Sequence, residues 1–242
     1  MSGPVELGGE EAHVWTTDPN AGMIQREPAR YLEWLSAEER ERYGRFRFEK
    51  DRRLFLAGQA QIRAVLSLYD EEIGAAQWRF STNPYGRPEI ANPHRGAALR
   101  FNLSHTQGAV VSAVVRTRAI GIDVESLDRD VDMLGIARSS FAPGEFRELA
   151  ALSGEERRNR FFEYWTLKEA YIKARGKGLS IPLNQFWFKR CGGKIAVQSE
   201  GADSAEEWQF EQFRPTPRHR AAVAVQVRAG EELRLIIRPF AL

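Results

Sequence analysis

The chain has 242 residues, enough for one large domain or two half-size ones with a sizeable core. A composition of 43% hydrophobic and 28% charged residues excludes a disordered chain. Lys+Arg 35 against Asp+Glu 33 leaves +2, too weak a field to draw in a nucleic acid or a membrane, and the single cysteine, Cys191, excludes an internal disulfide or a zinc site built on two cysteines.

The N-terminal MSGPVELGGEEAH has neither the basic nor the apolar region of a signal peptide. No stretch approaches the ~18 apolar residues of a membrane span, so the expectation is a soluble, cytoplasmic protein. Val14 and Trp15 end a first strand before the turn formers Thr17-Asp18-Pro19-Asn20. Ser36 and Glu39 make a capping-box pattern that starts a charged helix running to about Tyr43. Leu54, Phe55, Ile62, Val65, Leu66 and Tyr69 recur at helical spacing and predict a long amphipathic helix over 51–69. Asn83 to Pro88 is dense in turn formers. Strands are expected at Leu99–Leu103, Ala109–Val115 and Ile120–Val124, with a bend at 116–118.

The second half follows a similar order. A short helix over Phe146–Leu152 precedes a second capping-box pattern, Ser153 to Glu156, and a long helix to Arg175 that Gly176 should stop. Strands are expected near 186–190, 194–198, 207–213, 221–227 and 233–237. The order helix, turn, strands thus occurs twice, over 51–115 and 156–237, and suggests two similar halves meeting near 116–119.

Several residues suit chemistry. In the strand Gly121-Ile122-Asp123-Val124-Glu125, residues two apart share a face, so Asp123 and Glu125 point the same way. Carboxylates held that close call for a cation, and oxygen donors favour magnesium or manganese over zinc; the alternative is an ordinary solvated strand end. The predicted helix over 161–175 is apolar nearly all round but carries Lys168, Glu169 and Lys173. Glu169 and Lys173 lie one turn apart, as a plain helix pair or as a working carboxylate and ammonium. Ser104-His105 lacks the context of a hydrolase nucleophile, but the histidine could meet a phosphate. Seven basic residues in fourteen, from Arg40 to Arg53, form either a solvated helix face or a phosphate cradle, and no Walker-type or G-x-G-x-x-G loop is present. Of the 35 basic residues 29 are arginine, which fits GC-rich coding or bidentate phosphate contacts. Paired carboxylates, a third carboxylate with a lysine, and scattered cations together suit phosphoryl-type transfer.

Gly121-Ile-Asp123-Val-Glu125, followed some forty residues on by Trp165-Thr-Leu-Lys168-Glu169-Ala-Tyr-Ile-Lys173, resembles the signature pair of the 4′-phosphopantetheinyl transferases, and more narrowly of the surfactin-synthetase-activating type. Phe101-Asn-Leu-Ser104-His105, Tyr85-Gly86-Arg87-Pro88 and Gly176-Lys-Gly178-Leu-Ser-Ile-Pro182 agree with it, so that it covers the chain from about Ser36 to the end. The resemblance implies an α+β fold of two similar halves in pseudo-twofold arrangement, residues 1–117 and 118–242, with the active site between them in a monomer. It implies transfer of the phosphopantetheine arm of coenzyme A to a serine of an apo acyl or peptidyl carrier protein, releasing adenosine 3′,5′-bisphosphate, as in polyketide or nonribosomal peptide biosynthesis. The first half would contribute to coenzyme A binding, and the second would carry the metal site and catalytic helix. Asp123, Glu125 and Glu169 would hold Mg2+ (or Mn2+), Glu169 would be the base, and Lys173 would contact the phosphate and steady the leaving group. His105 and Arg53, with Arg42 nearby, would hold the 3′-phosphate. Gly86, Arg87 and Ser104 would lie along the adenine, with Pro88 in the same coenzyme A-binding turn. Met133 to Phe146 would be the carrier-docking surface. Two positions depart from the pattern: Arg52 could serve in place of Arg53, and Glu39 stands where a basic residue is expected. A metal-dependent nuclease is the competing enzyme reading, weakened because Leu127 occupies the place of its usual lysine. A coenzyme A- or carrier-binding protein without catalysis is the third.

Overall fold

A computed structural model describes residues 5–92, 98–199 and 207–242, which leaves the first four residues of the N-terminal segment outside it. Strand β1 (Glu11–Thr17) is followed by the short helices α1 (Gly22–Arg26), α2 (Pro28–Leu32) and α3 (Ala37–Arg45), and by the 19-residue α4 (Glu49–Ser67). A small hairpin of β2 (Phe80–Thr82) and β3 (Pro88–Ile90) leads to β4 (Leu99–Thr106) and β5 (Ala109–Arg116). Then come β6 (Ile120–Ser126), α5 (Met133–Ser140), α6 (Pro143–Ala151) and the 22-residue α7 (Gly154–Arg175). The chain continues through β7 (Phe186–Cys191), β8 (Lys194–Ser199), β9 (Glu207–Phe213), β10 (His219–Val227) and β11 (Arg234–Pro239).

The α+β repeat is one of topology. One sheet has the order β11-β1-β5-β4 and another β6-β10-β9. In each, the first strand of the half (β1 or β6) and the strand just before the central one (β4 or β9) both pair antiparallel with that central strand, β5 or β10. Period-two alternation then sorts the side chains. Val111, Ala113 and Val115 of β5 pack with Ile122 and Val124 of β6 and Val223 and Val225 of β10 in one buried core between the sheets. On the outer faces, Val110 meets Phe55, Leu56 and Ala60 of α4, while Ala222 and Ala224 meet Leu167, Ala170 and Tyr171 of α7. The layers therefore run helix, sheet, sheet, helix.

Both long helices form where the periodicity places them, and α4 begins at Glu49, two residues before the predicted start. The first capping box is present: Glu39 N donates to Ser36 Oγ at 3.2 Å, and Ser36 N donates to Glu39 Oε2 at 2.8 Å. The second is not. Ser153 precedes α7 without a side-chain cap, and Gly154 after it has φ +53. Arg157 Nε instead donates to Leu152 O at 2.7 Å. Gly176 ends α7 in the left-handed conformation (φ +64), its N–H returning to Ile172 O and Lys173 O. The last strand does not extend the second sheet. It pairs parallel with β1, Val14 opposite Ile237, and covers an edge that would otherwise be bare. Helices α1, α2 and α5 span five to eight residues, too few for a period to show. No helix among the described residues is long and apolar enough to cross a membrane.

Candidate active site

Strand β6 lies hard against α7 because Gly121 has no side chain: a Cβ there would stand 2.1 Å from Ala170 O and 2.4 Å from Ala174 N. That approach sets Asp123 beside Lys173. Ile122 and Val124 enter the inter-sheet core, so Asp123 and Glu125 turn together toward the helix, as the alternation predicts. Asp123 is buried, its Oδ1 accepting from Lys173 Nζ at 2.6 Å and from Ser104 Oγ at 2.9 Å. Lys173 also donates to Ser104 Oγ at 3.0 Å and to Ile122 O at 3.3 Å. Its ammonium thus reaches across to β6 and β4, where a simple Glu169–Lys173 pair was one expectation. Glu125 accepts from Arg129 Nη1 at 3.1 Å and from Trp165 Nε1 at 3.1 Å.

Electrostatics set Glu169 apart. Burial, reinforced by the Asp123 charge and opposed by Lys173, raises its pKa to about 7. Glu125 is raised as well, by burial and then by Asp123, with Arg129 opposing. Two carboxylates raised in part by the Asp123 charge beside them suit a bound cation. Asp123 Oδ2 is buried without a hydrogen-bond partner, the kind of oxygen that a hard divalent ion takes up. The donor set therefore fits magnesium. Among the described residues no group of three His, Cys, Asp or Glu side chains stands ready as a metal cage.

The first half supplies the other wall. The exposed His105 leans on α4, where a Cβ at Gly58 would lie 3.3 Å from its Cδ2. Desolvation by the surrounding protein, then the Lys173 charge, holds its pKa below the ordinary 6.5. Arg42 on α3 lies over the Phe55 ring at 5.2 Å. Arg53 is half-buried, with no hydrogen bond or ion pair among the described residues, whereas Arg52 donates to Phe46 O at 2.9 Å. Of the two, Arg53 is the free cation. Glu39 is occupied by its capping box and by Arg63 Nη2 at 2.5 Å.

The 83–88 turn needs glycine at Gly86, where φ is +83. Asn83 Oδ1 accepts from the backbone N–H of Tyr85 at 2.9 Å and of Arg87 at 3.0 Å. Pro88 opens β3. Arg87 is spent on backbone: Nη1 donates to Ala174 O at 2.9 Å, and Nη2 to Ile120 O at 2.9 Å and Phe101 O at 3.3 Å. Sequence reasoning gave no hint of that clamp, because its acceptors are carbonyls far away in the chain. It also left Lys168 unassigned. Lys168 is fully buried, 2.8 Å from Glu145 Oε2, and donates to Leu183 O and Phe186 O.

A carboxylate cluster and a lysine, with His105 of the first half close enough to feel the Lys173 and Asp123 charges, suit chemistry on a phosphate-bearing substrate. Residues 24–117 match the family model "4′-phosphopantetheinyl transferase, N-terminal", and residues 119–225 match "4′-phosphopantetheinyl transferase superfamily". Sfp of Bacillus subtilis is 31% identical over 205 residues, covering 83% of this chain and 86% of that protein. HetI of Nostoc sp. is 36% identical over 173 residues, 71% of each chain. Both are named as 4′-phosphopantetheinyl transferases. A solved holo-[acyl-carrier-protein] synthase of Thermotoga maritima is 22% identical, covering 46% of this chain and 65% of that one with a TM-score of 0.39. The chain belongs to the 4′-phosphopantetheinyl transferase family, whose members transfer phosphopantetheine from coenzyme A to carrier proteins, and it is of the Sfp-like type.

Proposed function

We propose that the protein converts apo acyl or peptidyl carrier proteins of polyketide or nonribosomal peptide biosynthesis to their holo forms, as a cytoplasmic monomer with its site between the halves. The carrier serine Oγ bonds to the β-phosphorus of coenzyme A as the pyrophosphate P–O bond breaks. The serine proton goes to Glu169, and adenosine 3′,5′-bisphosphate leaves. The observation that carries this reading is the meeting of Lys173, Asp123 and Ser104 within 3.0 Å, beside a carboxylate whose pKa is about 7. A carboxylate set beside the attacking hydroxyl can draw off its proton. Asp123, Glu125 and Glu169 would hold Mg2+ (or Mn2+), which when bound supplies positive charge against the pyrophosphate. Lys173 balances charge developing on the leaving group. His105, Arg53 and Arg42 hold the 3′-phosphate, and Gly86, Arg87, Pro88 and Ser104 form the adenine side, with Arg87 bracing the turn. Residues 1–117 thus serve coenzyme A, and residues 118–242 carry the metal ligands and catalytic helix. Met133 to Phe146 forms the docking surface.

Intact-mass spectrometry of an apo carrier protein incubated with this protein, coenzyme A and magnesium tests the reading. A gain of one phosphopantetheine arm, abolished by a chelator, is expected. No gain on apo carriers from several pathways, with folded protein, would refute it.

A further inference from the structure

Strand β6 has an edge that no strand of the described residues covers. One side pairs with β10. The other carries polar backbone groups of Ile120, Ile122 and Val124, residues at most 1% exposed. Side chains do the work of a neighbouring strand. Arg87 Nη2 donates to Ile120 O at 2.9 Å, and Lys173 Nζ to Ile122 O at 3.3 Å. Ile122 N donates to Asn102 Oδ1 at 2.9 Å, and Val124 N to Ser104 Oγ at 3.3 Å. Asn102 and Ser104 stand two apart on β4, as do the two N–H groups they receive, so the match specifies one register between the sheets.

Three of these four residues already belong to the proposed site; Asn102 does not. We propose that Asn102 is a positioning residue for the transfer reaction. Resting on the transferase reading above, it fixes β6 against β4 so that Asp123 meets Ser104 and Lys173 while Glu125 stays in line with Asp123. Its buried acceptor links the half that holds coenzyme A to the strand that bears the carboxylates. Losing that link would displace the carboxylates and leave the 3′-phosphate groups, all on the first half, in place. Small misplacements of reacting groups have large rate costs.

The test compares Asn102→Ala, which removes the acceptor, with Asn102→Asp, which keeps one, in the full chain. For Asn102→Ala, kcat should fall about tenfold or more and half-saturation should need more magnesium, while KM for coenzyme A stays within about twofold. Asn102→Asp should keep the Ile122 N–H bonded; because it adds a carboxylate beside Asp123, it is read by amide exchange and not by kcat. Amide exchange at Ile122, read by NMR, should be fast in the alanine variant and protected in the aspartate one. If Asn102→Ala does not fold, Asn102→Ser, whose shorter hydroxyl weakens the contact, should show the same kcat-only loss in smaller measure. A folded alanine or serine variant with unchanged kcat, or with kcat and the coenzyme A KM impaired together, would overturn the inference. Every value is a ratio to the unsubstituted protein, whose own transfer, measured alongside, tests the transferase reading separately.

Discussion

Lys173 Nζ lies 2.6 Å from Asp123 Oδ1 and leaves Asp123 Oδ2 without a partner. One oxygen of the carboxylate is thus neutralised by the protein, and the other is held in reserve. Removing that second oxygen should be far more damaging to activity than to folding. Asp123→Asn is expected to lower magnesium-dependent transfer by about 100-fold or more, with a near-normal melting temperature, as checked by carrier mass shift and calorimetry.

With Glu169 as a magnesium ligand, as proposed, its pKa of about 7 would set a proton against the cation. Below that pH the carboxyl holds its proton, which a cation has to displace; above it the carboxylate is free. Magnesium affinity should therefore rise with pH through 7, with proton release on binding. Titration calorimetry in two buffers of different ionisation enthalpy would detect the proton, and Glu169→Gln should markedly reduce both the release and the pH dependence, leaving only what Glu125 contributes.

His13 is buried, its Nδ1 against Tyr69 Oη at 2.9 Å and its Nε2 against Glu11 Oε2 at 3.2 Å. Burial holds its pKa below the ordinary 6.5 despite Glu11. As pH falls through 6.5 the unfolded chain takes the proton first, so this contribution to stability is present above 6.5 and lost below it. Denaturation midpoints measured from pH 7.5 to 5 should decline, and the decline should be shallower in His13→Gln.

The buried pair of Lys168 and Glu145 joins α7 to α6 and to the start of β7. Lys168→Met alone leaves Glu145 buried and unpaired, at a cost of ~3–5 kcal/mol. Combining it with Glu145→Gln removes the stranded charge, and the double variant should regain much of that in urea denaturation.

Gly121→Ala should separate β6 from α7, because neither Ala170 O nor Ala174 N can retreat from a Cβ at 2.1 and 2.4 Å without moving the helix. Both stability and transfer are expected to fall. Suppression by Ala174→Gly would not occur, since the obstructing atoms are backbone.

Local patterns in the sequence carry the two long helices, the Gly176 stop and the shared face of Asp123 and Glu125, because each is a matter of period or of one residue's backbone freedom. The signature motifs likewise point to the residues that gather at the site. What stayed illegible depends on distant partners. Arg87 looks like any arginine in a turn until Ala174 O and Ile120 O arrive beside it. Lys168 differs from Lys173 only in which side of α7 it leaves. The Ser153 pattern is sound as a motif, yet the hydroxyl makes no cap bond where the glycine after it takes a positive φ.

Strand β11 lies parallel to β1, so the outermost strand of the first sheet is synthesised only after the whole of the intervening second half. A nascent chain that has emerged only as far as β5 holds every other strand of that sheet, yet β1 keeps a bare edge through the translation of more than a hundred further residues. The halves therefore cannot mature one after the other on the ribosome. A chain cut at the 116–119 bend would yield two fragments, the second carrying the strand that closes the first, and their reassembly would be mutual.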